Sequence, residues 1–249
     1  MKLSVNLNKI ALLRNARGEG KPSIDEFATE ALKYNVSGIT VHPRPDQRHI
    51  TPEDVFKLKQ LTDQHQKLLN IEGNPSEAVH GSFPGFIEII KKNKPFQVTL
   101  VPDDSTQLTS DHGWTHSQKN DLKMYAKQLE PYTSLLSIFV DSDTNDLVTL
   151  IPEEIQAIEI FTGPYAIACE SRNQSIIDTE LEKIRVLAKQ AKDMGLKVHA
   201  GHDLNLLNLK ELVNLQLIDE VSIGHAIICD SLSYGFGATI EKYLEVING

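Results

Sequence analysis

The sequence predicts an α/β fold, a (β/α)8 TIM barrel with extra helices. Eight short apolar runs recur along the chain, and helical patterns fill the gaps between them. The alternative for such a pattern, a doubly wound open sheet, usually opens with a glycine-rich turn. Here the first run ends instead in Asn6-Leu7-Asn8-Lys9.

The runs cover residues 3–8, 38–42, 67–72, 96–101, 135–141, 157–162, 197–202 and 220–226. Each has strand length, and most are rich in Val, Ile, Leu or Phe. Residues 13–18 read as a basic loop ahead of the first helix. Ser23-Ile24-Asp25-Glu26 is a capping box, followed by Ile24, Phe27, Ala31 and Leu32 at helical spacing, with Gly38 just past the end. Thr51-Pro52-Glu53-Asp54 starts a second helix with proline in its first turn, and Val55, Leu58 and Leu61 form its apolar face. The clearest helix covers 178–194, with a stripe of Leu181, Ile184, Leu187, Ala188 and Ala191 and a stop at Gly195. Further helices are expected over 76–92, 117–129, 207–215 and 231–246. No fixed-period repeat and no low-complexity linker divides the chain, so 1–249 is read as one domain.

A length of 249 residues suits a barrel, which typically takes about 250. The net charge of −9 argues against non-specific nucleic-acid binding, which needs a basic surface. Two cysteines, Cys169 and Cys229, supply neither a disulfide framework nor a metal-type spacing. No signal-peptide pattern opens the chain, and no run of about 18 apolar residues is present. A cytoplasmic protein with no membrane or nucleic-acid partner is expected.

Barrel active sites sit at the C-terminal ends of the strands. The run ends supply Asn6 and Asn8, then His42 and Arg44 with Arg48 and His49 behind, then Glu72, Asp103, Asp141, Glu159, His202 and finally Gly224-His225. Three of the nine histidines, His42, His202 and His225, fall at such ends. Imidazoles, carboxyls and guanidinium groups in one ring suit repeated proton transfer near pH 7, because neighbours split one another's pKa values. Each residue also has a plainer reading. Glu72 and Asp141 can cap helices, and His42 can be a satisfied core histidine. Glu159 points into the barrel if Ile158 and Ile160 face the helices, as an interior ion pair or as a catalytic group. Gly201-His202 and Gly224-His225 end the last two runs, where barrels often hold phosphate. Arg14 and Arg17 also suit phosphate recognition. His42, His202, His225, Glu72 and Asp141 can ligate a metal, but they are spread over different strands and show no His-x-His pair. Of the lysines only Lys9 lies near the rim, so any imine amine is expected to come from substrate.

Asn6–Ala11 running into 13–18, the stretch 38–42 with Arg44, Arg48 and His49, and Asn70-Ile71-Glu72 resemble pyridoxine 5′-phosphate synthases. So do Leu100-Val101-Pro102, Phe139-Val140-Asp141, 159–163, 195–198 with 200–202, and 223–227, in order along nearly the whole chain. The resemblance implies an octameric, cytoplasmic barrel enzyme without a cofactor or metal. Its reaction joins 3-amino-2-oxopropyl phosphate to 1-deoxy-D-xylulose 5-phosphate, giving pyridoxine 5′-phosphate, phosphate and water. It implies His42 and Glu72 as proton acceptors and His202 as proton donor. Asn6, Arg17, Asp203, Gly224 and His225 would stand at the aminoketone phosphate, and Asn8, Lys9, Arg44, His49 and Thr109 at the deoxyxylulose phosphate. Asn8-Lys9 stands where that family usually has aspartate and histidine, and Asp203 where it usually has glycine. Those departures motivate a second reading, a phosphate-metabolite-binding barrel without turnover. A third reading is a metal-dependent barrel aldolase or hydrolase.

Overall fold

The structure, a computed structural model, describes residues 1–104 and 106–249. Strands β1 (Lys2–Asn6), β2 (Gly38–Val41), β3 (Leu68–Gly73), β4 (Gln97–Leu100), β5 (Leu135–Asp141), β6 (Ala157–Phe161), β7 (Lys197–Gly201) and β8 (Glu220–Ile223) close into a parallel barrel in chain order. All eight expected runs form strands. Helices α1 (Asn8–Arg17), α2 (Ile24–Ala31), α3 (Pro52–Gln64), α4 (Phe86–Asn93), α5 (Lys119–Leu129), α6 (Leu147–Leu150), α7 (Gly163–Ser171), α8 (Gln174–Asp193), α9 (Leu209–Asn214), α10 (His225–Tyr234) and α11 (Phe236–Asn248) complete it.

The Thr51 start signal closes on both sides as the sequence implies, whereas the Ser23 box closes on one side only, because the Glu26 carboxylate pairs with Lys21 at 2.7 Å. Ser23 Oγ accepts the Glu26 N–H at 3.3 Å. Thr51 Oγ1 accepts the Asp54 N–H at 3.2 Å, and Asp54 Oδ2 accepts the Thr51 N–H at 2.8 Å. A reciprocal cap of this kind contributes about 1 kcal/mol.

Several segments differ from expectation, the short helix α6 among them. Residues 13–17 are the second half of α1 rather than a loop, because that helix starts at Leu7 without a side-chain cap and so leaves no start signal. Helix 76–92 is confined to Phe86–Asn93, since Pro84-Gly85 halts it and His80 instead pairs with Phe83. The expected helix 231–246 is two helices: Gly235, at φ +81° and ψ +153°, breaks the backbone where few side chains are tolerated. Helix α7 was not expected from its Gly163-Pro164 opening.

Strand alternation sorts the side chains. Ile39, Val41, Ile71, Val98, Ile138, Ile158, Ile160 and Val198 point outward and are buried against Ile10, Ala28, Leu58, Ile90, Leu122, Ile184 and Leu187 of the helices. Each such side chain contributes about 1.5–3 kcal/mol on burial. The inward positions are polar, with Thr40, Asn70, Gln97, Thr99, Ser137, Glu159, His199 and Glu220 all buried. Ser4 and Thr40 share a hydrogen bond of 2.7 Å, Thr99 donates to Asn70 at 3.2 Å, and Gln97 meets His199 at 3.1 Å. Among the described residues no helix is long and apolar enough to cross a membrane.

Candidate active site

A cavity of about 630 Å³ opens at the C-terminal ends of the strands. Two roomier hollows lie elsewhere, one beside α8 and one at the opposite end of the barrel. Strand-end chemistry favours the first, which is where barrel enzymes place their loops and reactive groups.

Asn6, the last residue of β1, and Asn8, just past it, staple the strand end to β2. Asn6 Oδ1 accepts the Asn8 N–H at 2.9 Å, and Asn8 Oδ1 accepts the His42 N–H at 2.9 Å. Gly224 lies so close that a Cβ there would stand 2.9 Å from Asn6 Cβ, which is why this position carries no side chain. It caps α10, so the first N–H groups of that helix face the cavity beside His225.

His42 and His49 lie edge to face with ring centroids 6.4 Å apart, and both are buried. His49 Nδ1 accepts the Ile50 N–H at 2.9 Å, which leaves the proton of the neutral ring on Nε2. The Arg44 guanidinium is buried, donates from Nη2 to Asp103 and from Nη1 to the Asp104 carbonyl at 3.0 Å. Arg48 Nη1 donates to the Gln107 carbonyl at 2.9 Å. The segment after β4, which carries Thr109, is thereby held over the cavity.

His202 packs between Phe139 and Phe161, with centroid distances of 4.7 and 5.6 Å. Its backbone and that of Asp203 are left-handed, at φ +79° and +58°. For residues other than glycine this costs on the order of 1–3 kcal/mol each and persists only where the surroundings impose it. Thr162 Oγ1 reaches the Gly201 and His202 carbonyls at 2.6 and 2.5 Å, and Asn208 Nδ2 donates to the Asp203 carbonyl at 3.0 Å. His202 Nδ1 is buried and meets no hydrogen-bond partner among the described residues.

Burial inverts the usual protonation at neutral pH. Desolvation holds the imidazoles uncharged: His202 is pushed down to about 4, His49 to about 3 with help from His42 and Arg44, and His42 well below its ordinary range with help from Arg44. The same desolvation raises the carboxyls. Glu72 rises well above its usual range, reinforced by Glu159 and Asp103, and Glu159 rises to about 8, reinforced by Glu220. At pH 7 Glu72 and Glu159 therefore carry protons while the imidazoles of His42, His49 and His202 stay uncharged.

Of the residues singled out from sequence, Asn6, Asn8, Lys9, His42, Arg44, His49, Glu72, Thr109, His202, Asp203, Gly224 and His225 all line this one cavity. Arg17 does not: it ends α1, is 78% exposed and pairs with Glu19 at 3.1 Å. Arg14 is tied to Asp54 at 2.5 and 2.9 Å and joins α1 to α3. Asp141 accepts the Gly113 N–H at 3.0 Å and anchors the returning segment after β4 instead of capping a helix. Glu159 faces inward, as the Ile158–Ile160 alternation implies, and lines the cavity floor. Ser110, Glu170 and Asn205 also line it without having been singled out. Only their nearness to strand ends signals them, and Glu170 sits on the unexpected helix α7. Among the described residues no three His, Cys, Asp or Glu side chains converge in a way that could hold a metal ion.

A family model described as pyridoxal phosphate biosynthesis protein PdxJ matches residues 3–249. The chain is 41% identical over 249 residues to the pyridoxine 5′-phosphate synthase of Xanthomonas axonopodis pv. citri (strain 306), covering 98% of this chain and 96% of that protein. It is 39% identical over 249 residues to the enzyme of the same name from Xylella fastidiosa (strain M23), covering 99% and 95%. Its fold is similar to the solved structure of thiamine phosphate pyrophosphorylase from Pyrococcus furiosus, with a TM-score of 0.62 at 15% identity over 99% of this chain and 95% of that one. A barrel with proton-carrying groups gathered at its strand ends and a match over nearly its whole length together place this chain in the PdxJ family of pyridoxal phosphate biosynthesis proteins.

Proposed function

We propose that the chain is a ring-closing synthase. It joins 3-amino-2-oxopropyl phosphate to 1-deoxy-D-xylulose 5-phosphate and releases pyridoxine 5′-phosphate, phosphate and water. The observation that carries the proposal is one cavity holding His42, Glu72 and His202 beneath a rim with Lys9, Arg44 and Arg48. The cations suit phosphate groups, and the interior suits successive proton transfers. No lysine is needed for imine formation, because the aminoketone brings its own amine.

The proton inventory supports an order of events. His42, neutral at rest, takes the first proton. Glu72 enters protonated, gives its proton to a departing hydroxyl as water leaves, and then serves as acceptor for a carbon-bound proton. His202, neutral at rest, takes a proton on its ring and later returns it as donor. Positioned proton transfers of this kind contribute about 10²–10⁴-fold each. Asn6, Asp203, Gly224, His225 and the α10 N-terminus receive the aminoketone phosphate end; Arg17, exposed and outside the cavity in this structure, is the further group proposed for it. Asn8, Lys9, Arg44, His49 and Thr109 receive the deoxyxylulose phosphate. The exposed Leu207 and Leu232 support assembly with further copies, for which the octamer is the proposed form, in the cytoplasm.

His202→Ala tests the assignment. Turnover is expected to fall by about 10²-fold or more while the melting temperature and inorganic phosphate binding stay near those of the parent. Parent-like turnover in the variant removes His202 from the mechanism.

A further inference from the structure

We infer that Asp103 is a positioning residue for the proposed condensation: one buried carboxylate that orients Arg44, fixes the segment after β4, and provides the anion beside His42. The inference rests on the functional reading above, and nothing in the sequence resemblance assigns this residue a role. It comes from where three strand ends meet.

Asp103 follows β4 by three residues and is only 2% exposed. Its Oδ2 receives the Arg44 Nη2–H, receives the Ser110 hydroxyl at 2.8 Å, and lies 3.9 Å from His42 Nε2. Its carbonyl accepts from Asn74 Nδ2, just past β3, at 2.5 Å. A guanidinium as buried as Arg44 needs a counter-ion, and Asp103 supplies it while presenting the planar fork in one orientation.

The charges around His42 make that carboxylate consequential. Arg44 and Arg48 face it from its own connection, His49 from the approach to α3, Glu72 from β3, His202 from β7 and Asp103 from β4. The arginines oppose a positive imidazole. Asp103 is the group at ion-pair distance that favours one. When His42 accepts a proton, the fixed carboxylate stabilises the charge that develops, without having to move. The same anion opposes an incoming phosphate, so Asp103 favours chemistry at some expense to substrate affinity.

Asp103→Asn keeps the shape and removes the charge, and Asp103→Glu keeps the charge. In D103N, kcat is expected to fall about tenfold or more, the acid limb of the kcat–pH profile to move to lower pH, and KM for the deoxyxylulose phosphate to stay level or fall. D103E is expected to recover part of kcat, with the limb where the parent has it. A merely structural role predicts the opposite pattern, a raised KM and an unmoved limb, and either finding overturns the proposal. If D103N does not fold, D103E decides alone. A parent-like limb with kcat within about tenfold of the parent supports the charge role, and a larger loss overturns it. If the parent itself makes no pyridoxine 5′-phosphate, the functional reading has failed. The Asp103–Arg44 contact is then judged by calorimetry with inorganic phosphate. Tighter binding to D103N, by about tenfold, is expected, and unchanged or weaker binding overturns the inference.

Discussion

Replacing Glu159 by glutamine is expected to stabilise the fold, and to do so more strongly as pH rises. Glu159 is 2% exposed and shares its surroundings with Glu220. Burial moves its carboxyl from an ordinary 4.5 to about 8. The folded state therefore binds a proton that the unfolded chain gives up, so the cost is absent below pH 4.5, grows through the window up to about 8 and is constant above it. At about 1.4 kcal/mol per unit, that cost is about 3 kcal/mol at pH 7 and about 5 kcal/mol above pH 8. Glutamine has nearly the shape of the protonated acid and does not ionise. Urea unfolding of parent and variant at pH 5, 6, 7 and 8 measures the difference directly. At pH 5 the two should agree within about 1 kcal/mol, and at pH 7 the variant should lead by about 3 kcal/mol. A stability difference that does not change with pH would refute the argument that Glu159 is buried as a neutral acid.

Two further outcomes follow from the geometry. Arg14→Ala strips a buried carboxylate of its bidentate partner between α1 and α3 and should cost about 2–3 kcal/mol in urea unfolding, whereas Arg17→Ala should change stability by under about 0.5 kcal/mol and raise KM for the aminoketone phosphate. Nitrogen-15 spectra at pH 6 should show His42, His49 and His202 as neutral rings, with His49 carrying its proton on Nε2, and an imidazolium signal from any of them contradicts the burial argument.

The barrel was legible because its strands are short, apolar and bounded, and because the caps at Ser23 and Thr51 announce two helices directly. What sequence reading missed has local causes. Helix α1 has no side-chain cap to announce it, and the packing of Ile10 and Ala11 against the barrel holds it. Helix α7 buries Gly163, Tyr165, Ala166 and Ala168 together, so it shows no amphipathic stripe. Strand ends pointed to most of the cavity, since topology alone brings them together. Whether a polar side chain beyond a strand end turns inward depends on its partners. Asp141 turns to the Gly113 amide, Arg14 to Asp54, and Asp103 to Arg44, and spacing along the chain encodes none of these.

The central claim is that this cavity closes a pyridine ring from two phosphorylated substrates. Purified protein given both should form pyridoxine 5′-phosphate and inorganic phosphate in equal amounts, and neither substrate alone should yield either product. Binding of either substrate without ring formation would contradict the claim. It would favour the phosphate-binding barrel without turnover, and it would point to Asn8-Lys9 and Asp203 as the positions where activity was lost.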